Sequence, residues 1–279
     1  MNILHAAFLG LVQGLTEFLP ISSSGHLVLF QHLLGFQETM ITFDVILHAG
    51  TLMAVLVYYA NDLLEMVKEV LWVIGGLFKG KKFGELMDYY PQARIASYLL
   101  VATFPTGCIA ILFHEAVESM FGSIMAVGVA WIITGTFLIL TRKIKGDRGL
   151  EGMTHQDAFI IGIIQGIAII PGISRSGSTI IAGIFCGLDR KQAAKFSFLM
   201  SIPAIVGANL LEIRKGMEGV AENWLPYLVG AATACIVAYI TIAFLLKMIQ
   251  KGNFFLFGFY CLGIGILTLG YCIFQGVFV

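Results

Sequence analysis

The chain has 279 residues, of which 58% are hydrophobic and only 12% charged, with a mean hydropathy of +0.89. A soluble domain carries about 25% charged residues, so this composition excludes one and reads as an integral membrane protein. The 17 basic and 17 acidic residues cancel, which argues against a nucleic-acid partner.

The N-terminus lacks a basic n-region and a small-residue cleavage site, so no signal peptide is expected. The five cysteines lie singly in apolar segments without CxxC spacing and read as small buried hydrophobes. A spanning helix needs ~20 mostly apolar residues. In 1–35 the apolar run is cut by Pro20 and the Ser22-Ser23-Ser24 triplet, which leaves a second arm too short to cross. The spacing predicts a re-entrant hairpin of helix, irregular tip and helix, because non-helical backbone at membrane depth survives only inside protein or beside a wet cavity. Spans follow at about 41–60, 94–113 and 120–141. Between the first two, Leu63, Leu64, Met66, Val67, Val70 and Leu71 alternate with Asp62, Glu65, Lys68 and Glu69, which suits an amphipathic helix in the membrane interface, with a short seventh span as the alternative. A second interrupted region, 156–188, is broken at Pro171-Gly172 and predicts a second hairpin. The last spans are expected at about 194–212, 226–248 and 254–278.

Sliding the chain by 152 residues superposes Gly10 on Gly162, Gln13 on Gln165, Gly14 on Gly166, Ile21 on Ile173, Ser22 on Ser174, Ser24 on Ser176, Gly25 on Gly177 and Gly35 on Gly187. The chain therefore divides into 1–152 and 153–279, each one hairpin plus three spans. An odd number of spans makes the second unit enter from the opposite side, an inverted-topology repeat. The expected fold is an all-α polytopic membrane protein with six transmembrane helices and two re-entrant helical hairpins whose tips meet near the midplane. Alternating loops put Lys68, Lys79, Lys81, Lys82, Arg94, Arg142, Lys143, Lys145, Arg148, Arg190, Lys191, Lys195, Lys247 and Lys251 on one side, and only Arg214 and Lys215 on the other. By the positive-inside bias both termini lie outside.

Arg175 belongs to neither side and sits at a tip. An Arg at bilayer depth costs ~2.5–3.5 kcal/mol on insertion scales, so it needs a partner, and its planar fork suits phosphate or carboxylate. Gln13 and Glu17 are four apart and share one helical face. Ser22, Ser23 and Ser24, and in the second tip Ser174, Ser176 and Thr179, offer caps and donors beside two helix N-termini, where anions bind. His26 lies in the first turn after the first tip. These groups supply what phosphoryl transfer needs: a nucleophile, a proton acceptor and charge stabilisation. Two readings stay open for Arg175, a phosphate binder or a plain lock on Glu17. Asp44 and His48, four apart at the start of the first full span, share one face and could point at the tips or at the interface.

The run Gln13-x-x-x-Glu17-Phe18-Leu19-Pro20-Ile21-Ser22-Ser23-Ser24-Gly25-His26, with Pro171-Gly172-Ile173-Ser174-Arg175-Ser176-Gly177, resembles the undecaprenyl-diphosphate phosphatase family, the bacitracin-resistance proteins. The likeness extends over essentially the whole chain. It implies hydrolysis of undecaprenyl diphosphate to the monophosphate and inorganic phosphate, which recycles the cell-wall carrier lipid and confers bacitracin resistance. It also implies a divalent cation, Mg²⁺ or Ca²⁺, with Glu17 as its candidate ligand, and a multi-pass place in the bacterial cell membrane with the site opening outwards. Carried over by position, Ser23 is the candidate nucleophile with an activated water as the alternative, His26 the proton carrier, Glu17 the essential carboxylate and Arg175 the diphosphate clamp. Ser22, Ser24, Ser174, Ser176, Thr179 and Gln13 would bind substrate. Family members often carry Glu where this chain has Gln13, which leaves the acid chemistry of that tip to Glu17. The implied partners are a polyprenyl diphosphate and the bilayer, with no nucleic acid and a homodimer left open. The competing function is a secondary transporter or lipid flippase on the same repeat. A type 2 phosphatidic-acid-phosphatase-like site is disfavoured, since no His follows His155.

Overall fold

The computed structural model describes residues 1–36, 40–144, 146–215 and 224–276. Lys145, the side chain of Lys215 and the end of the span expected to reach 278 lie outside the described residues. Thirteen α-helices occur among them: α1 Ile3–Thr16, α2 Ser23–Leu33, α3 Ile41–Tyr58, α4 Ala60–Phe78, α5 Phe83–Tyr89, α6 Pro91–Leu112, α7 His114–Met120, α8 Ile124–Leu140, α9 His155–Ile167, α10 Arg175–Phe185, α11 Arg190–Lys215, α12 Trp224–Gln250 and α13 Leu256–Gln275. The described residues contain no strand beyond one isolated bridge, Arg148 to Leu188. Six helical segments, built on α3, α6, α8, α11, α12 and α13, are long and apolar enough to cross a membrane. The chain is a multi-pass membrane protein.

The helix limits follow local chemistry. Asn2 caps α1 through His5 N at 2.7 Å, and Thr154 with Asp157 forms a capping box on α9. The Glu69 carboxylate of α4 accepts from Gln92 N at 2.6 Å and Ala93 N at 3.1 Å, so another helix caps α6. The α4 helix is a continuous amphipathic 19-residue helix, with Leu64, Val67, Leu71 and Trp72 exposed, and is not one of the six spans. In the two interrupted regions, α1 pairs with α2 and α9 with α10. Each second arm has 11 residues, which at ~1.5 Å per residue reaches about half of a ~30 Å hydrocarbon core.

Small residues set the packing of these helices. Gly10 and Gly14 of α1 press on Gly230 and Ala234 of α12, where a Cβ on Gly14 would stand 2.7 Å from the Ala234 carbonyl oxygen. Residue numbers rise together along this pair, so α1 and α12 run parallel. Gly162 and Gly166 of α9 press in the same way on Ala102 and Ile109 of α6, again parallel. By contrast Gly128 meets Gly265, and Gly135 meets Gly258, so α8 and α13 are antiparallel. Such seams bring backbones close where lipid supplies no hydrophobic drive between helices. Between them Phe18, Trp131, Phe196 and Phe198 are fully buried, and this core surrounds the two tips.

Candidate active site

The tips are the irregular turns 17–22 and 168–174, and they touch. Gly25 leaves room for Gly172, whose Cα would lie 3.1 Å from a Cβ added there, and Gly177 leaves room for Pro20. These two contacts exchange under the 152-residue offset. Gly172 has φ +91°, and a Cβ at that position would stand 2.6 Å from the Val127 carbonyl oxygen, so only glycine serves on both counts. Trp131 of α8 donates from Nε1 to the Ile21 carbonyl at 2.8 Å, and Thr134 donates to the Gly172 carbonyl at 3.3 Å. One helix thus anchors both turns. Ser22 has φ 66°, the one described non-glycine residue with positive φ, and such a conformation persists only where its surroundings hold it.

Glu17 is the hub. Its Oε2 accepts from Ser23 Oγ at 2.6 Å and Gln13 Nε2 at 2.9 Å, and its Oε1 accepts from Arg175 Nη2 of the other tip. The His48 Nε2 of α3 lies 3.4 Å from Oε2. Glu17, Gln13 and Ser23 are buried, while the Arg175 side chain keeps 17% exposure. Arg175 Nη1 and Gln13 Oε1 are both buried without a hydrogen-bond partner, a donor and an acceptor left over at one site. A hydroxyl, a carboxylate in contact with it and a guanidinium with one unpaired arm make a sound arrangement for attack on a phosphoryl group.

The remaining expected residues divide. Ser22 accepts from Gly25 N at 3.3 Å and meets Ser24 Oγ at 3.2 Å, capping α2. Ser174 accepts from Gly177 N at 3.0 Å and caps α10. Ser176 donates to the Leu19 carbonyl at 3.0 Å, across the junction of the tips, and Thr179 pairs with Ser197 of α11 at 2.6 Å. Ser174, Ser176 and Thr179, expected as substrate donors, are therefore engaged within the protein, because they sit on the face of α10 that packs inward. Thr179 also donates to the Arg175 carbonyl at 2.9 Å, one turn back on α10.

His26 is turned away from the hub. Its Nδ1 donates to the Ser22 carbonyl at 2.6 Å, and its Nε2 meets Tyr260 OH of α13 at 2.8 Å, with Trp131 edge-on at 5.0 Å. Both ring nitrogens are occupied, and the Ser23 hydroxyl donates to Glu17 and not to His26. The Asp44–His48 pair also splits. Asp44 accepts from Gln31 of α2 at 2.6 Å, while His48 alone reaches the hub. Sequence reasoning missed Trp131, Thr134 and Tyr260, each an isolated polar atom on an apolar span with no local pattern to mark it. The spacing of Asp44 and His48 was the available signal for His48.

The residues at the hub do not fit a protein-built divalent-cation cage. Among the described residues no three His, Cys, Asp or Glu side chains converge on one point, and both oxygens of Glu17 already have donors. A Mg²⁺ or Ca²⁺ site needs oxygen ligands that face the ion and not a guanidinium.

The chain matches the family model described as bacitracin resistance protein BacA over residues 6–267. It is 41% identical to the undecaprenyl-diphosphatase of Halothermothrix orenii over 281 residues, covering 100% of both chains. It is 44% identical to the undecaprenyl-diphosphatase of Desulfosudis oleivorans over 271 residues, covering 96% of this chain and 98% of that one. The enzyme of the same name from Methanosphaera stadtmanae is 41% identical over 271 residues, with the same coverage. With most of its length matched by the family model and relatives this similar from end to end, the chain belongs to the bacitracin resistance protein BacA family.

Proposed function

We propose that this chain is a membrane undecaprenyl-diphosphatase, releasing inorganic phosphate from undecaprenyl diphosphate and leaving the monophosphate carrier for cell-wall synthesis. The observation that carries the reading is the Glu17–Arg175 pair joining the tips with the Ser23 hydroxyl bonded to the same carboxylate. Arg175 would hold the diphosphate through its unpaired arm, and the caps at Ser22 and Ser174 would aim helix N-termini at it. Ser23 Oγ would attack the terminal phosphorus as its proton passes to Glu17. The bond from that phosphorus to the bridging oxygen breaks, and undecaprenyl phosphate leaves. Water then hydrolyses the phosphoserine. The divalent cation implied by the resemblance would have to be supplied with the substrate, since the described residues of the hub offer no protein-built cage for it. Phosphate release measured across an EDTA and Mg²⁺ series tests that part.

We read 1–152 and 153–279 as inverted repeats, with α1–α2 and α9–α10 as re-entrant hairpins. Support comes from the exchange of α1–α12 for α6–α9 contacts, the antiparallel α8–α13 pair and the reciprocal Gly25–Gly172 and Gly177–Pro20 contacts. Both termini would then lie outside with the site opening outwards, which reporter fusions at each end would check. Purified protein in detergent, given undecaprenyl diphosphate, should release phosphate, and Arg175→Ala should not. Lipid movement without phosphate release would favour the flippase reading instead.

A further inference from the structure

The Glu17–Arg175 pair raises a difficulty for diphosphate binding. A guanidinium committed to a carboxylate contributes little net charge to an incoming anion, and a buried carboxylate stripped of its cation is costly. The group that resolves this stands on the other side of Glu17.

His48 lies on α3, in neither tip. Its Nδ1 is 2.7 Å from the Asp44 carbonyl, one helical turn back, which fixes the plane of the ring. Its Nε2 is 3.4 Å from Glu17 Oε2. With Nδ1 held by the backbone, Nε2 is the nitrogen turned to the Glu17 carboxylate. The Asp44 side chain does not compete for this ring, being bonded to Gln31. His48 also keeps 27% side-chain exposure against 4% for Glu17, so its ring is less confined than the carboxylate. Arg175 contacts the opposite oxygen, Oε1, and its Nη1 has no partner. Glu17 thus stands between Arg175 at one oxygen and His48 at the other.

Resting on the diphosphatase reading above, we propose that His48 is a positioning residue that takes over Glu17 when a diphosphate arrives, releasing Arg175 from its ion pair to clamp the substrate. The exchange keeps the buried carboxylate paired throughout and turns Arg175 from a lock into a binder. It assigns a binding contribution to a residue outside both tip motifs, and it acts on affinity more than on the chemical step.

Steady-state phosphate release from undecaprenyl diphosphate by the full chain in detergent reads this as a split between KM and kcat. His48→Gln removes the ring at similar size, and loss of an interaction with a charged group corresponds to a KM rise of about 10–100-fold, with kcat within about threefold on this proposal. His48→Lys places a cation beside Glu17 and should return KM to within about threefold of wild type. His48→Asn carries the same expectation as His48→Gln and replaces it if that variant does not elute as a folded species. The inhibition constant of inorganic pyrophosphate should rise in parallel with KM. An unchanged KM in the neutral variants, or a fall in kcat with KM unchanged, overturns the proposal. Wild type that releases no phosphate refutes the diphosphatase reading itself, whereas active wild type beside an unaffected His48→Gln refutes only the role given to His48.

Discussion

Replacing Arg175 by Met, alone and together with Glu17→Gln, separates the lock from the chemistry. Glu17 is buried, with 4% of its side chain exposed, and Arg175 meets its Oε1 across the tips. Removing one member of a buried pair costs about 3–5 kcal/mol because the other charge is left unpaired. Here Oε2 keeps Ser23 at 2.6 Å, Gln13 at 2.9 Å and the nearby His48, so the lower end, about 3 kcal/mol, is expected for Arg175→Met. The double variant has neither charge and should return to within about 1 kcal/mol of wild type. Turnover should behave differently. A guanidinium that stabilises a transferring phosphoryl group is worth about 10³–10⁵ in rate, so both variants should lose at least a thousandfold in phosphate release. Unfolding in detergent gives the first quantity and phosphate release the second. Recovery of turnover in the double variant would reduce Arg175 to a lock, and a single variant within tenfold of wild-type turnover would sink the catalytic assignment.

Ser23→Ala should lower turnover by more than a thousandfold if serine is the nucleophile, and rapid quenching of wild type with radiolabelled substrate should trap a phosphoserine. Near-normal turnover in Ser23→Ala would hand the attack to water. Trp131→Phe removes the donor to the Ile21 carbonyl, 2.8 Å away in a buried place, and should cost about 1–3 kcal/mol of unfolding free energy, with slower turnover because the strained Ser22 beside it loosens. Asp157 lies in the first turn of α9, outside the six spans. Burial pushes its carboxyl up, but hydrogen bonds from Thr154 and the Arg148 guanidinium outweigh this and hold it below the usual carboxylate range. A depressed folded value contributes stability that is present above the ordinary value of 3.8 and is lost as pH falls through the folded value. Acid unfolding in detergent should therefore steepen below pH 3.8, and Asp157→Asn should flatten that limb; an identical acid limb in the variant would show that the pair contributes nothing.

The spans were legible because twenty apolar residues in a row have one stable outcome in a bilayer. Pro20 and Pro171-Gly172 marked the breaks because they remove a helix donor or permit positive φ, and the structure breaks its helices there, between α1 and α2 and between α9 and α10. The recurrence of Ser22, Ser24 and Gly25 at Ser174, Ser176 and Gly177 pointed to two tips in one place, and they meet at Glu17 and Arg175. Less was legible about direction. Ser176 and Thr179 carry the same hydroxyl chemistry as Ser23, yet they bond to Leu19 and Ser197 while Ser23 bonds to Glu17.

By itself, then, the sequence determined the class, the breaks and the pairing of the two tips, because those depend on local hydrophobicity, helix geometry and recurrence along the chain. What only the tertiary structure decided was which group each polar side chain meets. His26 sits three residues from Ser23 but faces Tyr260 of the last helix, while His48, 25 residues further along from Ser23, faces Glu17. A hydrogen bond reaches about 3 Å and depends on angle, and the rotation of one helix against another sets both. No pattern of neighbours along the chain encodes that rotation. It follows from the glycine seams, where the absence of a side chain fixes how closely and in what register the helices approach.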